Sequence, residues 1–383
     1  MTLWRATAFA ALDVRSRTAE FPGVELVVLP IVPTEPVGLN GGVAELWRSF
    51  VGDGRHEDSL TQPELELARE FESAGLATTQ TVHRHALRTL REPWLESVMH
   101  ELVYGLIASI AKDEETRVVF IKGPMLRSQA LRERSHSGDV DAWVDPMKIA
   151  AISSALVAWG WSEPPTIWTG ITSHHSVTLR PEKWGCEIDL HRHMPGCGIA
   201  DLELFEQLWL EATDRSYASV DALVPSKAAH AVILALHELR PARGSAALER
   251  GKVMSVAEML QRAGIPALVW ATSVRADAAI EPALSRAFPR DFTVPPYPPP
   301  RNWTSRIARS RAEEIAHWLR DIELRHWPRF MFRLIWPTQE DIRTSDRAMG
   351  HESTNLVWSR IRRLGRAFFR SRWRSTSAPG ATR

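Results

Sequence analysis

The chain has 383 residues, of which 44% are hydrophobic and 24% are charged, the ordinary balance of a globular protein. This length exceeds what a single hydrophobic core usually serves, so we expect two or three domains. The net charge of +1 excludes a general attraction to nucleic acid, and any basic surface must be local. The longest uncharged stretch, 149–162, is too short to span a bilayer, and the two cysteines favour a reducing, cytoplasmic location.

Residues 1–80 are predicted to form a small separate domain. Apolar runs at 24–30 and 36–39 predict two short strands, and amphipathic helices are expected over 41–50 and 61–71. A hairpin followed by small helices resembles the winged-helix peptide chaperone of pyrroloquinoline quinone biosynthesis. The resemblance implies a partner, namely a leader or precursor peptide of a ribosomally synthesised natural product.

The expected peptide contact in this domain is β-addition, in which an extended peptide pairs with a free strand edge. We expect that edge near Leu26–Leu29. The alternative is a small packing domain that has no ligand of its own.

The next region alternates helices and apolar strands. A helix is expected from Pro93 to Ala111, where it would cover one face of a sheet. Strands are expected at 117–121, 139–144 and 186–191, with a helix between the last two at 146–159. This order predicts an α/β fold with a small mixed sheet and flanking helices.

The central motif is Asp139-x-Asp141 in an apolar run that ends with Trp143 and Val144. Side chains two apart in a strand point to the same face, so these carboxylates repel each other unless a cation lies between them. Mg²⁺ takes oxygen ligands and is usually held by carboxylates together with substrate phosphates. Asp189 on a later strand supplies a third carboxylate. The alternative is an exposed strand edge that carries solvated charges.

The turn that follows the first of these strands is suited to phosphate. Gly123 lets the backbone approach a phosphate group without a Cβ in the way, and Lys122 offers a point charge to a phosphate oxygen. In-line nucleotidyl transfer uses two metal ions, which suits a carboxylate pair supported by a third acid. The motifs therefore predict a site for Mg²⁺ and a nucleoside triphosphate.

The stretches 121–126, 138–144 and 187–191 together resemble the uncharacterised nucleotidyltransferase family of the polymerase-β-like superfamily. The resemblance covers residues 90–370, including the Arg-Phe-Met-Phe-Arg-Leu-Ile-Trp-Pro run at 329–337. Two departures stand out. Gly123-Pro124 replaces the usual Gly-Ser, which removes a serine contact to phosphate, and Ala142 replaces a leucine.

The resemblance implies an enzyme that transfers a nucleotidyl group from an NTP to an acceptor with Mg²⁺, or alternatively Mn²⁺, as cofactor. The metal ligands would be Asp139, Asp141 and Asp189. The first two would bind both metal ions, and Asp189, with Glu187 as its substitute, would activate the nucleophile. His191 is expected to orient a carboxylate rather than act as a base. The residues expected to hold the triphosphate are Lys122, Gly123, Ser137 and Gly138.

The predicted domains are a winged-helix-like domain at 1–80, a catalytic core at 90–215 and a helical region at 220–374. The carboxy-terminal segment 358–370 is predicted to be a basic amphipathic helix. Its partner would be RNA, an anionic membrane surface or an acidic peptide. The alternative is that this helix packs on the core. Two rival functions remain open. One is a non-catalytic peptide-binding scaffold, and the other is an RNA-modifying transferase or toxin–antitoxin component.

Overall fold

A computed structural model describes residues 2–133, 138–166, 168–171, 175–241, 248–307, 311–339, 342 and 357–361. The described residues form a mixed α/β protein with a helical carboxy-terminal region, which confirms the expected fold class. Contacts divide the chain into two compact units. The first consists of Met1–Ser162, Thr178–His193 and Ala200–Ile233, and the second of Glu163–Val177, Met194–Ile199 and Leu234–Arg383. The predicted bounds 1–80, 90–215 and 220–374 stay a prediction.

The strands of the described residues are short and are numbered in chain order. They are β1 (Leu3–Ala6), β2 (Ala10–Asp13), β3 (Leu26–Leu29), β4 (Val37–Leu39), β5 (Arg55–His56), β6 (Ala77–Thr78), β7 (Val118–Phe120), β8 (Asp139–Val144), β9 (Trp161–Ser162), β10 (Ser176–Pro181), β11 (Glu187–His191), β12 (Thr213–Tyr217) and β13 (Val220–Val224).

The α-helices are numbered in the same way. They are α1 (Gly41–Ser49), α2 (Gln62–Ser73), α3 (Val98–Asp113), α4 (Met125–Ser128), α5 (Ile149–Ala158), α6 (Asp201–Leu210), α7 (Lys227–Glu238), α8 (Arg250–Ala263), α9 (Ile265–Ser273), α10 (Glu281–Ala287), α11 (Arg301–Thr304), α12 (Arg311–Asp321) and α13 (Trp327–Ile335). Among the described residues, none of the helices has both the length and the apolar character needed to cross a membrane.

Seven strands of the described chain form one mixed sheet in the order β12-β13-β7-β8-β11-β10-β9. Strand β8 lies near its middle, antiparallel to β7 and parallel to β11. Its apolar side chains Val140, Ala142 and Val144 are fully buried, as expected for an interior strand. The strand pattern that the sequence predicted at 117–121, 139–144 and 186–191 is therefore confirmed.

Helix α3 begins later than the sequence predicted, at Val98 instead of Pro93. The hydroxyl of Ser97 accepts a hydrogen bond from the backbone N–H of His100 at 3.2 Å and so caps the helix. The preceding backbone at Trp94 and Leu95 donates to the carboxylate of Glu101, which holds it outside the helix.

Residues 1–80 contain two three-stranded sheets, β5-β1-β6 and β2-β3-β4. The expectation that Leu26–Leu29 offers a free edge is wrong, because β3 is the central strand and pairs with β2 and β4. The outer strand on that side is β4. This region packs directly on α3, where Ser109 donates to the Phe9 carbonyl at 2.7 Å and Gly105 leaves room for Ala10.

The second unit contains helices α8 to α13. Its aromatic centre consists of Trp168, Trp318 and Phe330, whose rings lie 5.1–6.0 Å apart between centroids. Arg333 donates from its guanidinium to the carbonyls of Thr166 and Thr169 at 3.0 and 2.7 Å, which ties α13 to the segment around Trp168.

Candidate active site

The pairing of β8 with β11 brings the predicted carboxylates together. The two parallel strands place Asp141 beside Asp189, and Asp139 beside Glu187. One possible ligand atom from each of Asp141, Asp189 and His191 lies within 4.8 Å of the others. Among the described residues, this group is the one cluster of acidic, histidine and cysteine side chains close enough to hold a metal ion.

Asp141 is the most deeply buried member of the group, with 2% of its surface exposed, and His191 is buried beside it. Lys122 Nζ and His191 Nε2 both contact its Oδ1 atom, at 2.6 and 2.8 Å. Burial raises the pKa of this carboxyl, but the hydrogen bond and charge of His191 and those of Lys122 outweigh burial and hold the pKa at about 2. Asp141 is therefore ionised at neutral pH.

The pKa of Asp139 is shifted in the opposite direction. Its pKa is raised by burial and then by the negative charges of Asp141 and Asp189, with Lys122 acting weakly against them. A half-buried carboxyl held beside two others is destabilised as an anion. The structure thus keeps the repulsion that the sequence predicted for the Asp-x-Asp pair.

Asp189 is held by its neighbouring strand. Thr178 on β10 donates from its hydroxyl to Asp189 Oδ1 at 2.5 Å. Glu187, the substitute ligand, lies at the exposed start of β11 and pairs with Arg180 at 2.9 Å. Geometry therefore joins Asp189, and not Glu187, to Asp141 and His191.

The turn after β7 has an unusual backbone. Lys122 and Gly123 both have φ of +59°, the left-handed region that costs a residue with a Cβ more than it costs glycine. The backbone N–H of Lys122 donates to His230 Nε2 at 2.6 Å, and that of Ile121 donates to the Asp141 carbonyl at 3.0 Å. The turn is thus attached to β8 on one side and to α7 on the other.

A pocket of about 410 Å³ lies beside this turn. His100, which contributes to its wall, contacts the backbone carbonyl of Asp139 at 3.2 Å through Nε2, so the pocket adjoins the carboxylate strand. This volume is within the usual range for sites that bind small molecules. The lining residues are Trp94, Leu95, Glu96, Ser97, His100, Pro124, Arg127 and Ser128.

The remaining predicted site residues are Ser137, Gly138 and His191. Gly138 is exposed just before β8, with open space where a Cβ would stand, and Ser137 lies outside the described residues. The expected contact of His191 with a carboxylate is present in its bond to Asp141. The sequence did not indicate that His191 belongs to the candidate ligand group, although its position two residues after Asp189 places both on one strand face.

Comparison of the chain with protein-family models found no match, and comparison with curated proteins found none.

Proposed function

We propose that this chain is a metal-dependent nucleotidyltransferase, which moves a nucleotidyl group from an NTP to an acceptor. The observation that carries the proposal is the register of β8 and β11, which gathers three carboxylates at one end of the sheet beside a glycine turn and a pocket. The proposal agrees with the resemblance to the polymerase-β-like nucleotidyltransferases, which rests on the same three motifs.

The donor set fits a divalent cation. Asp139, Asp141 and Asp189 offer the oxygen ligands that Mg²⁺ prefers, and the imidazole of His191 is compatible with Mn²⁺. Burial raises the pKa of Asp139, and the negative charges of Asp141 and Asp189 raise it further. A bound divalent ion would neutralise them and would stabilise negative charge on phosphate oxygens during transfer.

Other residues of the chain are suited to binding the phosphate groups and the acceptor. The turn at Lys122 and Gly123 brings backbone close to the site, and Arg127 on the adjacent pocket wall offers a charge for a phosphate group. Asp189 is placed to support an acceptor hydroxyl or phosphate oxygen, since Thr178 fixes its carboxylate.

Lys122 has a second role in this scheme. Its ammonium group contacts Asp141 rather than the pocket, so in this state it partly neutralises the carboxylates. For Lys122 to reach a phosphate oxygen, as the sequence predicted, that ion pair must open. A metal ion on Asp141 would favour this opening because it repels the ammonium group.

The acceptor in this proposal is a ribosomally synthesised peptide. Support comes from the winged-helix-like resemblance of residues 1–80 and from β4, an outer strand of the sheet β2-β3-β4 that has the geometry for β-addition of a peptide. The rival function, a peptide-binding scaffold without catalysis, uses the same strand. Nucleic acid as acceptor rests on the basic segment 358–370, most of which lies outside the described residues.

Calorimetry with ATP, GTP, CTP and UTP, each with and without Mg²⁺, tests the nucleotide and metal site. We expect at least one NTP to bind only with Mg²⁺, because three carboxylates repel free phosphate groups. Equal binding without metal would contradict the site. Labelled NTP and Mg²⁺ with candidate peptides, followed by mass analysis, then separates the two functions: a nucleotidylated product supports the enzyme, and peptide binding without product supports the scaffold.

A further inference from the structure

His230 is a fully buried histidine that lies 108 positions after the lysine it contacts. The backbone N–H of Lys122 donates to Nε2 at 2.6 Å, which requires that Nε2 carry no proton. The proton of the neutral ring is then on Nδ1, which donates to Gln129 Oε1 at 2.7 Å. The two bonds together define one tautomer of a neutral imidazole.

The two partners of His230 stand at opposite ends of the same segment. Lys122 is the first residue of the left-handed turn, and Gln129 follows the last residue of α4. Gln129 also donates through Nε2 to the carbonyl of Pro225 at 2.9 Å, just before α7. One imidazole on α7 therefore holds both the start and the end of the segment 122–129.

The surroundings keep this histidine neutral. Burial, together with the positive charges of Arg132 and Lys122, lowers its pKa to about 3, while Asp141 acts in the opposite direction. These are the charged groups that act on the ring. A protonated ring would have no acceptor for the Lys122 N–H. The neutral ring therefore preserves the two hydrogen bonds of His230 to Lys122 and Gln129, which together we call the clamp.

We propose that His230 is a positioning residue for the nucleotide site, which together with Gln129 locks the left-handed Lys122–Gly123 turn into the conformation that receives phosphate. A left-handed residue with a Cβ persists only where its surroundings enforce it. Here the enforcement comes from the bond to His230. This inference rests on the proposed function, because it assumes that the turn receives an NTP.

The test compares the wild-type chain with His230→Phe, which fills similar space without an acceptor, and with His230→Gln, which keeps an acceptor oxygen. The first readout is the affinity for Mg²⁺ with each NTP, and the second is the affinity for Mn²⁺ alone. We expect His230→Phe to lose about tenfold or more in NTP affinity, with Mn²⁺ affinity within about twofold, and His230→Gln to recover most of the loss.

A matched control is His237→Phe, an exposed histidine on the same helix, which should change neither affinity. Should His230→Phe fail to fold, Gln129→Ala gives the same comparison, with an expected loss of about threefold in NTP affinity. Equal losses in NTP and Mn²⁺ affinity, or unchanged NTP affinity in a folded variant, would overturn the proposal.

A readout independent of nucleotide separates this inference from the proposed function. NMR of the ¹⁵N-labelled histidines should show a neutral ring protonated on Nδ1 that does not titrate between about pH 5 and 8, assigned by its absence in His230→Gln. The Lys122 amide should exchange with solvent more slowly in the wild type than in His230→Phe, which has no acceptor for it. Wild-type protein that binds no NTP with Mg²⁺ contradicts the proposed function. A titrating ring or an equally fast amide contradicts the clamp.

Discussion

Two acidic side chains of the first unit are almost completely buried, and their surroundings differ. Glu101, at the start of α3, is 1% exposed and accepts hydrogen bonds from the backbone N–H groups of Trp94, Leu95 and Ala218 at 3.0–3.1 Å. Asp141, in the middle of the sheet, is 2% exposed and contacts ionisable side chains. Backbone N–H groups hold one carboxylate, and ionisable side chains hold the other.

The difference separates a structural carboxylate from a candidate functional one. Burial raises the pKa of Glu101, and its three backbone hydrogen bonds oppose that rise. Those bonds join the loop before α3 to the turn at 218, so the arrangement serves the fold. Beside Asp141, burial and the negative charges of Asp141 and Asp189 raise the pKa of Asp139. Carboxyl groups whose pKa values are shifted by burial and by neighbouring charges are typical of binding and catalytic sites.

The largest effect is expected at the candidate metal ligands. Asp189→Asn should reduce Mn²⁺ affinity by about ten- to a hundredfold, since one charged ligand is lost and a charge-assisted contact is worth about 1.5–3 kcal/mol. The matched control is Glu187→Gln, two residues away on the same strand face, which should leave the affinity unchanged. Titration followed by electron paramagnetic resonance measures both. A larger loss in the Glu187 variant would transfer the third ligand to that residue.

Glu101→Gln should lower the stability of the protein and leave its metal affinity unchanged. The amide must direct an NH₂ group toward backbone donors, so at least one buried N–H loses its acceptor, which costs about 2–3 kcal/mol of unfolding free energy. Metal affinity should stay at the wild-type value because Glu101 is not in the site. Chemical denaturation and Mn²⁺ titration of the same preparation check this. A loss of metal affinity at unchanged stability would show that the distinction between the two regions is wrong.

The aspartates of β8 should respond with opposite signs. Asp141→Asn removes a charge whose pKa is held at about 2, so it should lower the free energy of unfolding by about 2 kcal/mol. Asp139→Asn removes a charge that its neighbours repel, so stability should be unchanged or higher. Both variants should lose metal-dependent NTP binding. Thermal unfolding without metal measures the contrast, and a destabilised Asp139→Asn would mean that this carboxylate serves the fold as Glu101 does.

The smallest expected effect is the contribution of His230 to the pH dependence of the free energy of unfolding. The pKa of His230 is about 3 in the folded chain and near 6.5 in the unfolded chain, so only the unfolded chain takes up this proton as pH falls between those values. Stability from this group is complete above about pH 6.5 and declines below it, by at most about 1.4 kcal/mol per pH unit. The His230→Gln variant should lose this slope. Denaturation at steps between about pH 7 and 5 compares the two, and identical slopes would show that the ring is not buried neutral.

The three central strands of the sheet and part of the site were predictable because the signals are local. Apolar runs of strand length marked β7, β8 and β11, and alternation placed Asp139 and Asp141 on one face. The start of α3 was missed because the Glu101 carboxylate binds the backbone N–H groups of Trp94 and Leu95 outside the helix. That carboxylate is itself held by the backbone of Ala218, which is distant in the sequence. The prediction of a free edge at Leu26–Leu29 was wrong for a related reason. The apolar sequence pattern of a strand is the same whether the strand lies at the edge or in the centre of a sheet.

The sequence by itself determined which residues carry the chemistry: the carboxylates of β8 and β11, and the lysine and glycine of the turn. These follow from side-chain type and from a period of two along a strand, which are properties of a few neighbouring residues. Only the tertiary structure decided that Asp189 rather than Glu187 joins the cluster, that Lys122 pairs with Asp141, and that His230 holds the turn. Those choices depend on strand register and on helix α7, because contacts between distant residues are determined by how the whole chain packs.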